Sequence, residues 1–179
     1  MPRYFAFLRA INVGGHTVKM DALRQQFEVL GFANAETFIA SGNVVFETNV
    51  KNVWALEKTI EQQLRAALVY EVATFIRIPA ELSAIARYQP FPPVALKTAQ
   101  ALNVAFLKDT LDAASQKKLM ALKTSIDDFH VHGREVYWLC RKKQSESTFS
   151  NAVLEKTLGR SSTLRGDNTI QKMAAKYAV

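Results

Sequence analysis

One cysteine, Cys140, stands in the 179 residues. A lone cysteine excludes an intrachain disulfide and any cysteine-built zinc site, and it fits a reducing cytosol. Cys140 follows Leu139 in an apolar stretch and reads as a small core residue. Long hydrophobic runs are also missing. Only Tyr4 to Leu8 are apolar before Arg9 interrupts, too few for the core of a signal peptide. No uncharged run approaches the roughly 18 residues that would cross a bilayer. A cytoplasmic protein without membrane contact is expected. Familiar catalytic signatures are absent too. Neither the P-loop nor the G-x-G-x-x-G fingerprint occurs, and there is no G-x-S-x-G nucleophile elbow.

What remains is globular. Apolar residues make up 49% and charged residues 22% of the chain. A chain of this length buries about 70% of its unfolded surface and needs no metal or disulfide to hold a core. The net charge of +7 is uneven. Residues 1–92 carry 9 Lys/Arg and 8 Asp/Glu, whereas residues 93–179 carry 14 and 8. The second half therefore supplies +6, with its densest cluster at Arg141-Lys142-Lys143. Such a surface attracts nucleic acid or keeps a protein soluble.

The hydrophobic pattern repeats. Tyr4 to Arg9 reads as a central strand, apolar on both faces. Met20, Leu23, Phe27 and Leu30 recur at helical spacing, and Gly31 ends that helix. Thr37 to Ala40 and Val44 to Thr48 read as strands around Ser41-Gly42-Asn43. A helix carrying Val53, Leu56, Ile60 and Leu64 follows, then a strand over Val72 to Ile78 and a short helix from Pro79. Pro90, Pro92 and Pro93 mark a linker. Beyond it the order returns. A strand spans Leu102 to Lys108, a helix Leu111 to Leu122, and strands Asp128 to His132 and Glu135 to Arg141 flank Gly133-Arg134. A helix ends at Gly159, Thr163 to Arg165 is a short strand, and a last helix lies behind Asn168 as N-cap.

Short echoes support the repeat. Phe5-Ala-Phe-Leu-Arg9 resembles Val104-Ala-Phe-Leu-Lys108, and Leu56-Glu-Lys-Thr59 returns as Leu154-Glu-Lys-Thr157. The expected fold is α+β, a tandem duplication of two ferredoxin-like (β-α-β-β-α-β) subdomains with antiparallel sheets. The subdomains are expected at 1–89 and 100–179, joined by the proline-containing linker 90–99. Each would leave one sheet face to cover, which packing the halves together would do.

Few residues suggest chemistry. Gly14 and Gly15, in the loop Asn12-Val13-Gly14-Gly15-His16, lie before a helix, where backbone N–H groups and the helix end favour an anion. A plain Gly-Gly turn is the alternative. Arg9, a charge ending a central strand, needs solvent, a ligand or an acidic partner. His130 and His132 face one side of a strand, but no third metal ligand is evident, so neither a metal nor a cofactor is expected. Asp127 and Asp128 are neighbours pointing apart. Phe46, Tyr137 and Trp138 read as core aromatics, because the RNP1 pattern of RNA-recognition folds is absent.

Four stretches carry a resemblance. Leu8-Arg-Ala-Ile-Asn-Val-Gly-Gly15 resembles L-R-G-I-N-V-G-G, and Phe38-Ile-Ala-Ser-Gly-Asn-Val-Val-Phe46 resembles Y-I-Q-S-G-N-V-V-F. Thr148-Phe-Ser-Asn151 with Leu154-Glu-Lys156 and Gly159, and Thr163-Leu-Arg165 to Lys172, resemble two later motifs. These motifs belong to a bacterial family catalogued as domain of unknown function, number sixteen-ninety-seven. The resemblance implies paired ferredoxin-like subdomains and no particular activity. Carried over by position, its polar residues are Arg9, Asn12, Ser41, Asn43, Asn151, Thr163, Arg165 and Asn168. Two departures stand out. Ala10 replaces a motif glycine, and Gly166-Asp167 replaces Asn-Trp.

The leading expectation is a small-ligand or anion-binding protein, an enzyme being one form of it, with these residues in a polar pocket between the halves. Polar motifs placed in loops motivate it, because core packing does not demand them. One alternative is nucleic-acid binding through residues 93–179, with a steep salt dependence. Another is a protein-interaction module with an exposed apolar patch.

Overall fold

A computed structural model describes residues 1–12, 15, 17–39 and 42–177. Strands β1 (Arg3–Leu8), β2 (Ala33–Thr37), β3 (Asn43–Glu47) and β4 (Thr74–Arg77) form an antiparallel sheet in the order β2-β3-β1-β4. β1 is central, so residues Tyr4 to Leu8 are buried on both faces. Helices α1 (Met20–Val29) and α2 (Val53–Leu68) complete this part. Leu23 and Phe27 of α1 and Leu56, Ile60 and Leu64 of α2 pack with Tyr4, Ala6, Leu8, Val44, Phe46 and Ile76 in one core. The Asn52 side chain caps α2 by accepting from the Ala55 N–H at 3.0 Å.

β4 is an edge strand, and α2 covers its free donors. Glu61 Oε1 accepts the Thr74 N–H and Glu57 Oε1 accepts the Ile76 N–H, each at 3.1 Å. An exposed edge invites pairing with another chain. Here two carboxylates one helical turn apart occupy it.

The second sheet has strands β5 (Ala101–Phe106), β6 (Asp127–His132), β7 (Glu135–Cys140) and β8 (Thr163–Gly166) in the order β6-β7-β5-β8, again antiparallel. α5 (Ala113–Met120) and α6 (Asn151–Leu158) supply Leu119, Leu154 and Leu158 to a core with Ala105, Phe129, Val136, Trp138 and Cys140. Cys140, Phe46, Tyr137 and Trp138 are all buried, as core residues should be. The remaining helices are α3 (Pro79–Arg87), α4 (Pro93–Leu96) and α7 (Asp167–Tyr177), with a 3-10 turn at Gln144–Glu146.

The two sheets share their register. Phe5 pairs with Val45 and Arg77, and Val104 pairs with Tyr137 and Arg165. The Leu8 N–H donates to the Gly42 carbonyl at 2.8 Å, and the Leu107 N–H to the Arg134 carbonyl at 2.9 Å. The chain is therefore two similar halves, each with a four-stranded antiparallel sheet.

Two details differ from the sequence reading. β2 lies at Ala33–Thr37, and of the strand expected at Thr37 to Ala40, Phe38 and Ile39 lie past its end while Ala40 is outside the described residues. Ile39 has φ +54° and is exposed, so the β-branched signal there belongs to a turn. The weakly β-prone Ala33–Thr37 is strand because it pairs with β3 and sets Ala35 against the core. The compact units are Met1–Ala84 with Met173–Val179, and Ile85–Lys172. The division falls inside α3 and again inside α7, and the prolines expected as a linker lie within the second unit.

Candidate functional site

In the first unit the chain leaves β1 at Arg9, whose N–H donates to the Ala73 carbonyl at 2.9 Å. Arg9 is half-buried. The next residues turn sharply. Ala10 has φ +61°, Asn12 +58° and Gly15 +85°. Left-handed backbone is costly for most residues with a Cβ, so Ala10 is held there by its surroundings, whereas asparagine adopts it more readily. One restraint is visible, since Asn12 Oδ1 accepts the Val18 N–H at 2.7 Å. α1 then starts after Lys19, which provides no side-chain cap.

A second turn abuts the first. Ile39 and Gly42 are also left-handed, at +54° and +80°. A Cβ on Gly42 would stand 3.0 Å from the Ile11 side chain and 3.1 Å from Leu8 Cβ. Only glycine lets the two turns approach this closely. Asn43 is fully buried, its Nδ2 donates to the Phe38 carbonyl at 3.0 Å, and the Phe38 N–H donates to the Asn43 carbonyl at 2.9 Å. The structure thus places Arg9, Asn12 and Gly15 on the first turn and Asn43 at the start of β3, beside the second. Gly14 and Ser41, also expected here, lie outside the described residues.

The second-unit candidates sit on α6, β8 and α7. Asn151 is a buckle: its Nδ2 donates to the Ser162 carbonyl at 2.9 Å and its Oδ1 accepts the Ser162 hydroxyl at 2.6 Å. Thr163 is buried, and its Oγ1 accepts from Arg165 at 2.7 Å. Arg165 also donates to the Leu164 carbonyl at 2.8 Å, and burial lowers its pKa to about 10, so it stays charged at neutral pH. Asn168 is exposed and lies inside α7, one residue past the helix start, so it is not the N-cap. Asn12 and Asn43 therefore spend side-chain groups on shaping their turns, and Asn151 spends its own on tying α6 to Ser162.

Sequence reasoning missed Arg77. It is fully buried on β4 at the register position that Arg165 holds on β8, and it donates to the Ile76 carbonyl at 2.9 Å. Aligning the last strand of each half would have exposed it. Asp127, read from the sequence only as a neighbour pointing apart from Asp128, has a structural task. Its carboxylate accepts the Trp138 indole N–H and the Ser147 hydroxyl, both at 2.8 Å. Its neighbour Asp128 instead pairs with Lys123 at 3.5 Å.

The two strand histidines meet aromatic rings. The Tyr88 hydroxyl lies 2.6 Å from His130 Nε2, and its ring lies 3.9 Å from that of His132. Burial, then the neighbouring His132, pushes the His130 pKa down. Among the described residues, no three of His, Cys, Asp and Glu gather as metal ligands. Among them too, no helix is long and apolar enough to cross a membrane.

A family model described as "Protein of unknown function (DUF1697)" matches residues 1–137. The chain belongs to this family. Both turns of the first unit fall inside the DUF1697 match, and the stretches at 148–159 and 163–172 lie beyond it. No curated protein matches the chain. Among solved structures it is similar to the conserved bacterial protein SP0830 from Streptococcus pneumoniae, with 21% identity, a TM-score of 0.79 and 98% of each chain covered. At that identity the likeness extends to the fold.

Proposed function

We propose that this DUF1697 protein binds a small anion at the Arg9–Gly15 turn of its first unit. The observation that carries the reading is the gathering of left-handed backbone at Ala10, Asn12, Gly15, Ile39 and Gly42 in two adjoining turns beside a half-buried arginine. Left-handed residues within a turn direct neighbouring N–H groups into a common concavity, a shape that suits an anion. The N-terminus of α1 adds partial positive charge, which Asp21 in its first turn offsets in part, and Lys19 provides no side-chain cap there. The arginine supplies a charge-assisted, fork-shaped donor for a carboxylate or phosphate. We read each unit as ferredoxin-like, since each runs β-α-β-β-α-β with its first strand central beside its last.

A thermal-shift titration with inorganic phosphate, sulfate, carboxylates and nucleotides, at low and high salt, tests this. A ligand held by the folded state at 100 times its Kd stabilises by about 2.7 kcal/mol. The expected result is a salt-resistant shift with one anion class that Arg9→Ala abolishes. A flat screen, or a shift that Arg9→Ala leaves intact, overturns the assignment.

A further inference from the structure

At one end of the second sheet three loops converge: residues 97–100, 121–126 and 141–147. Backbone bonds tie them together. The Gln100 N–H donates to the Cys140 carbonyl and the Arg141 N–H to the Ile126 carbonyl, both at 2.8 Å. The Arg141 guanidinium reaches into both other loops, through Nε to Thr98 Oγ1 at 3.1 Å and through Nη1 to the Ser125 carbonyl at 3.5 Å. The joined loops carry Lys97, Lys123, Arg141, Lys142 and Lys143 against a single acid, Glu146. All four lysines are exposed. The acids nearest in sequence are occupied. Asp127 is buried beneath Trp138 and Ser147, Asp128 faces Lys123, and Glu146 Oε2 accepts the Lys143 N–H at 3.1 Å. Part of the positive excess of residues 93–179 therefore lies on a platform braced by its own arginine.

We propose that this loop platform binds the phosphate backbone of a nucleic-acid duplex, without reading sequence. Lysine and arginine neutralise phosphates, and Thr98, Gln100, Thr124, Ser125 and Gln144 add hydroxyl and amide groups of the kind that contact them. The choice of a duplex follows from what the loops omit. Proteins that hold single strands stack bases on aromatic side chains, and these three loops contain no aromatic residue. Regularly spaced duplex phosphates need only the charges. The platform belongs to the second unit alone and is independent of the anion site in the first.

Fluorescence anisotropy with a labelled mixed-sequence DNA duplex tests the proposal on the full-length protein. Three phosphate contacts, from Lys97, Lys142 and Lys143, give a slope of log K against log salt of about −2.7, a loss of about 40-fold between about 50 and 200 mM salt. Lys142→Glu with Lys143→Glu should abolish binding. Lys156→Glu with Lys172→Glu, which changes net charge equally on α6 and α7, should leave most of it. Far-ultraviolet circular dichroism checks that both variants fold, and Lys97→Glu with Lys123→Glu replaces the first pair if it does not. No duplex binding at low salt, or equal losses in the two double variants, overturns the platform. Tighter binding of a single strand of equal length, or binding of anionic vesicles but not DNA, overturns the duplex assignment.

Discussion

At the scale of single residues, the first turn is defined by a conformation that its amino acids do not favour. Ala10 stands at φ +61°, where an L-residue pays about 1–2 kcal/mol relative to its ordinary regions. Glycine there avoids that cost but loses about 0.5–1 kcal/mol more chain entropy on folding. Ala10→Gly is therefore expected to stabilise by up to about 1 kcal/mol. Gly42→Ala should do the reverse. It combines φ +80° with a Cβ placed 3.0 Å from Ile11, so strain and overpacking add. A loss of about 2–4 kcal/mol follows. Urea midpoints of the two variants check both signs, and a destabilising Ala10→Gly would refute the strain account. The sequence could flag position 10 only as a departure from a glycine motif. The left-handed Asn12 and Ile39 left no trace, because neither residue type requires that conformation.

At the scale of elements, the repeat was legible in order but not in purpose. The Leu-Glu-Lys-Thr echo places Glu57 on α2 and Glu155 on α6, and each carboxylate accepts an N–H at an edge strand, from Ile76 at 3.1 Å and Ser162 at 2.9 Å. A buried carboxylate in an amphipathic helix looks like a solvated charge until the edge strand beside it is seen. The last turn of α7 shows the same difficulty. Tyr177 is buried, lies edge-on to Phe5 and Phe38, and donates its hydroxyl to Glu36 of β2, while Lys176 Nζ lies 3.0 Å from the same carboxylate. Those partners are 141 residues apart, beyond the reach of any local pattern. The hydrogen bond from Tyr177, more than the lysine, lowers the Glu36 pKa below 4.5. Burial, then the bond to Glu36, raises that of Tyr177 above 10.0. A depressed carboxylate stabilises the fold above its unfolded pKa and loses that contribution as pH falls through its folded value. A raised phenol stabilises below its unfolded pKa and loses the contribution as pH rises through its folded value. Tyr177→Phe keeps the ring contacts and removes the bond, a loss of about 1 kcal/mol at neutral pH. That deficit should shrink below the ordinary carboxylate range and again at strongly alkaline pH. Denaturation midpoints of both proteins across pH test this, and a pH-independent deficit would count against the Glu36 bond.

At the scale of the whole molecule, the duplication is regular while the partition of the chain is not. Strand order and register repeat, yet residues 173–179 group with the first unit and not with the half they follow in sequence. Cutting the chain at its prolines looks natural, because proline and composition are local signals and membership of a compact unit is a long-range property. The consequence is measurable. A fragment of residues 1–89 retains both helices and all four strands of the first sheet but lacks Met173 and Tyr177, both buried. Losing a buried aromatic ring alone costs about 3–5 kcal/mol, a large share of the roughly 5–15 kcal/mol that stabilises an ordinary domain. The fragment should therefore show poor amide dispersion or a broad, low thermal transition. Adding a synthetic peptide of residues 167–177 should sharpen it, and the same peptide with Tyr177→Ala should do so less. A fragment 1–89 that melts cooperatively and ignores the peptide would place the working boundary back in the proline stretch.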